Sequence, residues 1–115
     1  MKAQGVDIII VLSHCGLDVD YIIARNAGPD ISVIVGGHSH TFMYSGTPPS
    51  TDRPRDEYPA VVKNDDGHTV LIVQASSYTK YIGSLTVYFD AAGKVAEWEG
   101  APVFLDTEIE QGKSA

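Results

Sequence analysis

Val6-Asp7-Ile8-Ile9-Ile10-Val11-Leu12-Ser13-His14-Cys15-Gly16 decides the fold. Residues 6–12 are nearly continuous in β-branched side chains, the pattern of a strand buried on both faces of a parallel sheet. Residues 18–26 follow, with Val19, Ile22 and Ile23 at i, i+3 and i+4, which predicts one apolar face of a short helix. Asp18 and Asp20 lie near its start, where acidic side chains suit the helix dipole, and Gly28-Pro29 ends it. Ile31-Ser32-Val33-Ile34-Val35 then predicts a second strand. The three segments make a βαβ unit with parallel strands and a right-handed crossover.

Parallel strands bring their carboxyl ends to one edge of the sheet, the edge at which open α/β sheets bind ligands. His14 follows the first strand. His38 and His40, in Gly36-Gly37-His38-Ser39-His40-Thr41, follow the second. All three imidazoles are therefore expected at one rim, and imidazole is a common ligand of zinc and other divalent transition metals. On an extended segment His38 and His40 would point the same way, and Gly36 and Gly37 allow a tight turn close to a metal or an anion. A metal there would polarise a phosphoryl oxygen and acidify a bound water. One histidine at a strand end is ordinarily just a hydrogen-bonded residue; three in this placement argue for ligands. His68, beside Asp65 and Asp66 in a turn, is expected to be solvated. Cys15 is expected to pack as a small residue, Asp18 and Asp20 to serve only the helix start, and Phe42, Tyr44, Tyr78 and Tyr81 to pack in the core or at its rim.

The rest of the chain is antiparallel in character. Residues 47–58, with Pro48, Pro49 and Pro54, predict an exposed loop. Residues 60–63 and 69–74 flank Asn64-Asp65-Asp66-Gly67, a hairpin with Gly67 at positive φ. Residues 83–90 alternate, Leu85, Val87 and Phe89 on one face and Ser84, Thr86 and Tyr88 on the other; residues 94–98 follow as another strand. The expected fold class is thus α/β (α+β), a βαβ unit followed by antiparallel strands. Residues 1–106 form the domain and 107–115 a polar tail.

The chain has 115 residues, 43% of them hydrophobic, enough for one modest core. Eight basic against 15 acidic residues give a net charge of −7, which speaks against nucleic acid as a partner. An anionic substrate would have to be drawn in by bound cations. With one cysteine, no intrachain disulfide forms. The run over residues 6–12 is too short to span a bilayer and lacks the features of a signal peptide, so the chain is expected to be soluble, with no membrane segment.

Ser13-His14-Cys15-Gly16, Gly36-Gly37-His38-Ser39-His40-Thr41-Phe42, Val73-Gln74-Ala75 and Lys80-Tyr81-Ile82-Gly83 together resemble the calcineurin-like metallophosphoesterases, and more narrowly the 5′-nucleotidases of the animal ecto-type. Pro48-Pro49, Tyr58-Pro59 and Asp65-Asp66-Gly67 extend the likeness over nearly the whole chain. The resemblance implies a β-sandwich with flanking helices that holds two divalent metals. Zinc is foremost, with manganese, iron or magnesium as alternatives. It implies hydrolysis of nucleoside 5′-monophosphates to nucleoside and phosphate by a metal-activated water, and an extracellular or cell-surface location. His14 and His38 would bind one metal and His40 the other, at a position where relatives carry Asn or Gln.

The family's Asp-x-His motif, its bridging aspartate and its Gly-Asn-His-Glu motif, with the catalytic histidine, have no counterpart here. Nor does the domain that grips the nucleoside. The resemblance therefore covers a partial sandwich, the second half of the catalytic domain, with no catalytic residue of its own. Weak or absent activity is expected, along with self-association through exposed sheet edges. Two alternatives stay open: a mononuclear three-histidine zinc enzyme, and a non-catalytic metal-binding module.

Overall fold

A computed structural model describes residues 2–106; the polar tail expected over residues 107–115 lies outside them. A short 3-10 turn, Lys2–Gln4, leads into β1 (Ile9–Leu12), α1 (Leu17–Asn26), β2 (Ile31–Val35), β3 (Ala60–Lys63), β4 (Thr69–Val73), β5 (Tyr81–Phe89) and β6 (Val95–Phe104). The first four strands form one sheet in the order β1-β2-β4-β3, and β5 and β6 form a separate two-stranded ribbon. The mixed α/β class and the βαβ unit followed by antiparallel strands are both present.

β1 pairs parallel to β2, with Leu12 opposite Val35, and β2 pairs parallel to β4, with Val35 opposite Val73. β3 returns antiparallel to β4 as the expected hairpin, and Gly67 takes φ 82° in its turn. The ladder continues past the strand ends: Ser13 N–H donates to Val35 O at 2.9 Å, and Gly36 N–H to Val73 O at 2.8 Å. The loops after β1, β2 and β4 therefore leave the sheet at one edge.

The central strands β2 and β4 supply the core. Ile34, Val70 and Ile72 are fully buried in one cluster with Leu17, Ala24 and Met43, and Leu71 is fully buried as well. β1 departs from expectation. It begins at Ile9 rather than Val6, and its burial alternates instead of being complete. It is an edge strand with a neighbour on one side only, so Ile10 is 60% exposed and Leu12 86%.

The helix also turns a different face inward. Leu17, Asp20 and Ala24, at i, i+3 and i+7, are its buried residues, and Val19 and Ile22 are exposed. Of the expected apolar face, only Ile23 packs against the core. β6 runs to Phe104, well beyond residue 98, because β5 offers it a partner as far as Tyr81. Leu85 fastens the ribbon to the core. A cleft of about 530 Å³ lies between sheet and ribbon, lined by Ile10, Val35, Val73, Leu85, Val87 and Phe89 among others, but by none of the four histidines.

Candidate functional site

Histidines reach the carboxyl edge on two loops, and both loops are held from beneath. After β1, Ser13 Oγ donates to Asp20 Oδ1 at 2.5 Å, which ties the loop to α1. Gly16 precedes the helix at φ 90°, and a side chain there would meet Ser39 and His38. After β2, Ser39 Oγ accepts from Leu17 N–H at 3.1 Å and shares a hydrogen bond with Thr41 Oγ1 at 2.7 Å. Gln74, 3% exposed at the end of β4, completes the clamp. Its Nε2 donates to Gly37 O and to Ser39 Oγ, and its Oε1 accepts from Thr41 N–H at 3.0 Å. Each polar atom of that buried amide is thus satisfied by the histidine loop.

Two of the three rim histidines meet. The rings of His14 and His38 lie 5.2 Å apart between centroids, edge to face at 70°. Gly37 makes room for them, because a Cβ there would stand 3.1 Å from His14 Nδ1. His40 goes elsewhere: its ring lies 5.9 Å from Tyr78, at 69°.

The parting has a backbone cause. His38 and His40 sit at φ 72° and 52°, in the left-handed region rather than in an extended strand, so alternate residues do not share a direction. Among the described residues, no three His, Cys, Asp or Glu side chains gather around a common centre. All three rim histidines are exposed, and His68, in its turn, is partly buried.

Several functional neighbours escaped the sequence reading. Asp20 does more than start the helix. It is completely buried, and its Oδ2, with no partner among the described residues, points at Gly36, where a Cβ would lie only 2.3 Å away. Its place three residues after Leu17, on the buried helix face, was the available signal. Ser13, Ser39 and Gln74 lie inside the motif segments, but nothing in the sequence announced that they clamp the histidine loop. Cys15 is exposed rather than packed. Phe42 and Tyr81 are buried and stacked with centroids 4.6 Å apart, as expected of core aromatics, but Tyr78 is 84% exposed.

Behind the rim, Tyr81 Oη donates to Asp52 Oδ2 at 2.7 Å and Lys80 Nζ donates to Asp52 Oδ1 at 3.1 Å, and these two contacts hold the Asp52 carboxyl below its usual range. Burial raises the Tyr81 phenol.

No family model matches the chain. Individual proteins do. A 5′-nucleotidase-related protein of Glossina morsitans morsitans is 55% identical over 109 residues, 95% of this chain and 20% of that protein. An apyrase of Aedes aegypti is 47% identical, over 96% of this chain and 20% of its own length. Human 5′-nucleotidase is 41% identical, over 99% of this chain and 20% of its own length.

Among solved structures, the 5′-nucleotidase precursor of Thermus thermophilus superposes with a TM-score of 0.83 at 43% identity, covering 90% of this chain and 20% of that one. The NAD nucleotidase of Haemophilus influenzae gives 0.81 at 34%, covering 90% and 21%. The chain spans about a fifth of the length of these relatives. Its sequence and its fold agree over that span, and the chain belongs to the 5′-nucleotidase family.

Proposed function

We propose that this chain carries part of the metal centre of a phosphoric monoester hydrolase acting on nucleoside 5′-monophosphates. The observation that carries the reading is the contact between His14 and His38. Two imidazoles from separate strand ends meet, exposed, at the carboxyl edge of parallel strands. Kinship with proteins named 5′-nucleotidase and apyrase supports the substrate class.

The donor chemistry fits a divalent transition metal. Neutral imidazole nitrogens suit zinc, with manganese and iron as alternatives, and Gly37 leaves the His14 ring unobstructed. His14 and His38 would hold one ion, and His40, on its own side of the loop, would serve a second. When bound, such ions supply Lewis-acid polarisation of the phosphoryl group and an acidified water.

The chain's own residues orient the donors. Gln74 and Ser39 hold the histidine loop in its left-handed turns, and Ser13 and Asp20 hold the preceding loop against α1. Two adjacent donors fall short of the three protein ligands of catalytic zinc sites. The isolated chain should therefore bind metal and hydrolyse nucleotide slowly or not at all. The lack of a three-donor group among the described residues disfavours a self-sufficient mononuclear zinc enzyme. By family likeness the setting is extracellular or at the cell surface. Among the described residues, no helix is long and apolar enough to cross a membrane.

Calorimetric titration of the 115-residue chain with zinc tests this reading. His14→Ala and His38→Ala should each weaken zinc binding at least tenfold, and His68→Ala should leave it unchanged. Equal losses in all three variants, or brisk AMP hydrolysis by the purified chain alone, would overturn it.

A further inference from the structure

Among the described residues, Asp20 is the only buried Asp, Glu, Lys or Arg. Taking a carboxylate out of water is costly unless its oxygens find partners. Its place in the first turn of α1 offsets part of that cost, because the unsatisfied N–H groups of a helix start favour an acidic side chain. Ser13 offsets more, donating its hydroxyl to Oδ1 at 2.5 Å. Oδ2 has no partner among the described residues. An apolar side chain of similar size would fill this position at lower cost, so packing alone does not account for the carboxylate.

What Asp20 touches is the meeting of the two histidine loops. On the first loop it holds Ser13, the residue immediately before His14. On the second it lies beneath Gly36, where a Cβ would collide with Oδ2. The next residue, Gly37, faces the first loop, and a Cβ there would stand 3.1 Å from His14 Nδ1. From the opposite side, a Cβ on Gly16 would meet Ser39 Cβ at 3.7 Å and His38 Cδ2 at 3.8 Å. The two loops are therefore interlocked at their glycines. Gln74 bonds to the second loop, at Gly37, Ser39 and Thr41, whereas Asp20 reaches both.

We propose that Asp20 is a positioning residue: its buried carboxylate makes His14 and His38 converge, holding Ser13 with one oxygen and seating Gly36 on the other. The inference rests on the reading under Proposed function for the use of the histidine pair, and adds the group that fixes the pair's geometry. Asp20 itself touches neither metal nor substrate in this role. Exposed imidazoles on untethered loops would sample many separations. A pair already held with its rings 5.2 Å apart loses little freedom when it captures an ion.

Two measurements on the 115-residue chain test this proposal: nuclear Overhauser contacts between the His14 and His38 rings without metal, and calorimetric zinc affinity. Wild type should show the ring contact. Asp20→Ala removes the acceptor for Ser13 and opens space beneath Gly36, so it should lose the contact and weaken zinc by about tenfold or more. Asp20→Asn keeps the volume and an oxygen for Ser13, so it should keep the contact and bind zinc within about threefold of wild type. Ser13→Ala should weaken zinc by about 3- to 10-fold, and adding it to Asp20→Ala should cost less than about a further twofold, because both remove one link. Val62→Ala, in the core on β3, should lower the urea midpoint but leave the ring contact and zinc affinity unchanged.

No ring contact in wild type, no change in Asp20→Ala, or an equal zinc loss in Val62→Ala overturns the role of Asp20 and leaves the metal reading to its own test. If wild type binds no zinc while Asp20→Ala still loses the ring contact, the metal reading fails and the positioning of the pair stands. Should Asp20→Ala fail to fold, Ser13→Ala decides: a ring contact and zinc affinity equal to wild type overturn the proposal.

Discussion

Gly36 illustrates how tightly single residues are committed at the rim. A methyl group there would stand 2.3 Å from Asp20 Oδ2 and 3.2 Å from two atoms of Gln74. Both neighbours are buried and bonded, so neither swings away freely. Gly36→Ala should destabilise the chain by about 1–3 kcal/mol, the range of overpacking in a dense interior, seen as a lower urea midpoint. An unchanged midpoint would mean that Asp20 does not lie beneath Gly36. The pattern Gly-Gly-His was visible in the sequence. The second reason for its first glycine, a buried carboxylate from the helix, was not.

At the scale of elements, α1 is fastened to the loop before β3 by polar contacts that the helical period did not announce. Tyr21 Oη donates to the Asp56 carboxylate, and Arg55 pairs with Asp18 at 2.6 Å. The Arg55–Asp18 pair is exposed and contributes little. Tyr21 is different. Burial, reinforced by the hydrogen bond to Asp56, raises its phenol from 10.0 to about 12. The folded chain therefore holds that proton more tightly than the unfolded chain does. The resulting stability is complete below pH 10 and is lost as pH rises toward 12. Solvent screening of this partly exposed phenol keeps the loss below what the full shift would give. Tyr21→Phe should flatten the alkaline limb of the urea-midpoint profile, while the contributions of Tyr58, Tyr81 and Tyr88, also raised, remain. An identical limb in the variant would contradict the assignment.

For the whole molecule, the decisive feature is an unfinished sheet. β1 is an edge strand whose Ile10 and Leu12 project into solvent, and Ile10 also lines the cleft toward the ribbon. An unpaired apolar edge invites pairing with another chain. The purified protein should therefore self-associate in a concentration-dependent way by sedimentation, and Leu12→Lys should shift it toward monomer. A wild type that stays monomeric at high concentration would contradict this.

Sequence alone determined the βαβ unit, the hairpin and the edge that carries the histidines. These follow from local rules: β-branched runs, helical spacing, turn glycines and the parallel crossover. It could not show that β1 is an edge strand, since a β-branched run looks the same with one neighbour or two. Nor could it show that His38 joins His14 while His40 turns to Tyr78, because that depends on left-handed backbone angles in a loop held by Gln74 and Leu17 from other parts of the chain. Burial of Asp20 and exposure of Tyr78 are likewise products of packing. Both depend on what surrounds a side chain in three dimensions, and that is decided only when distant segments meet.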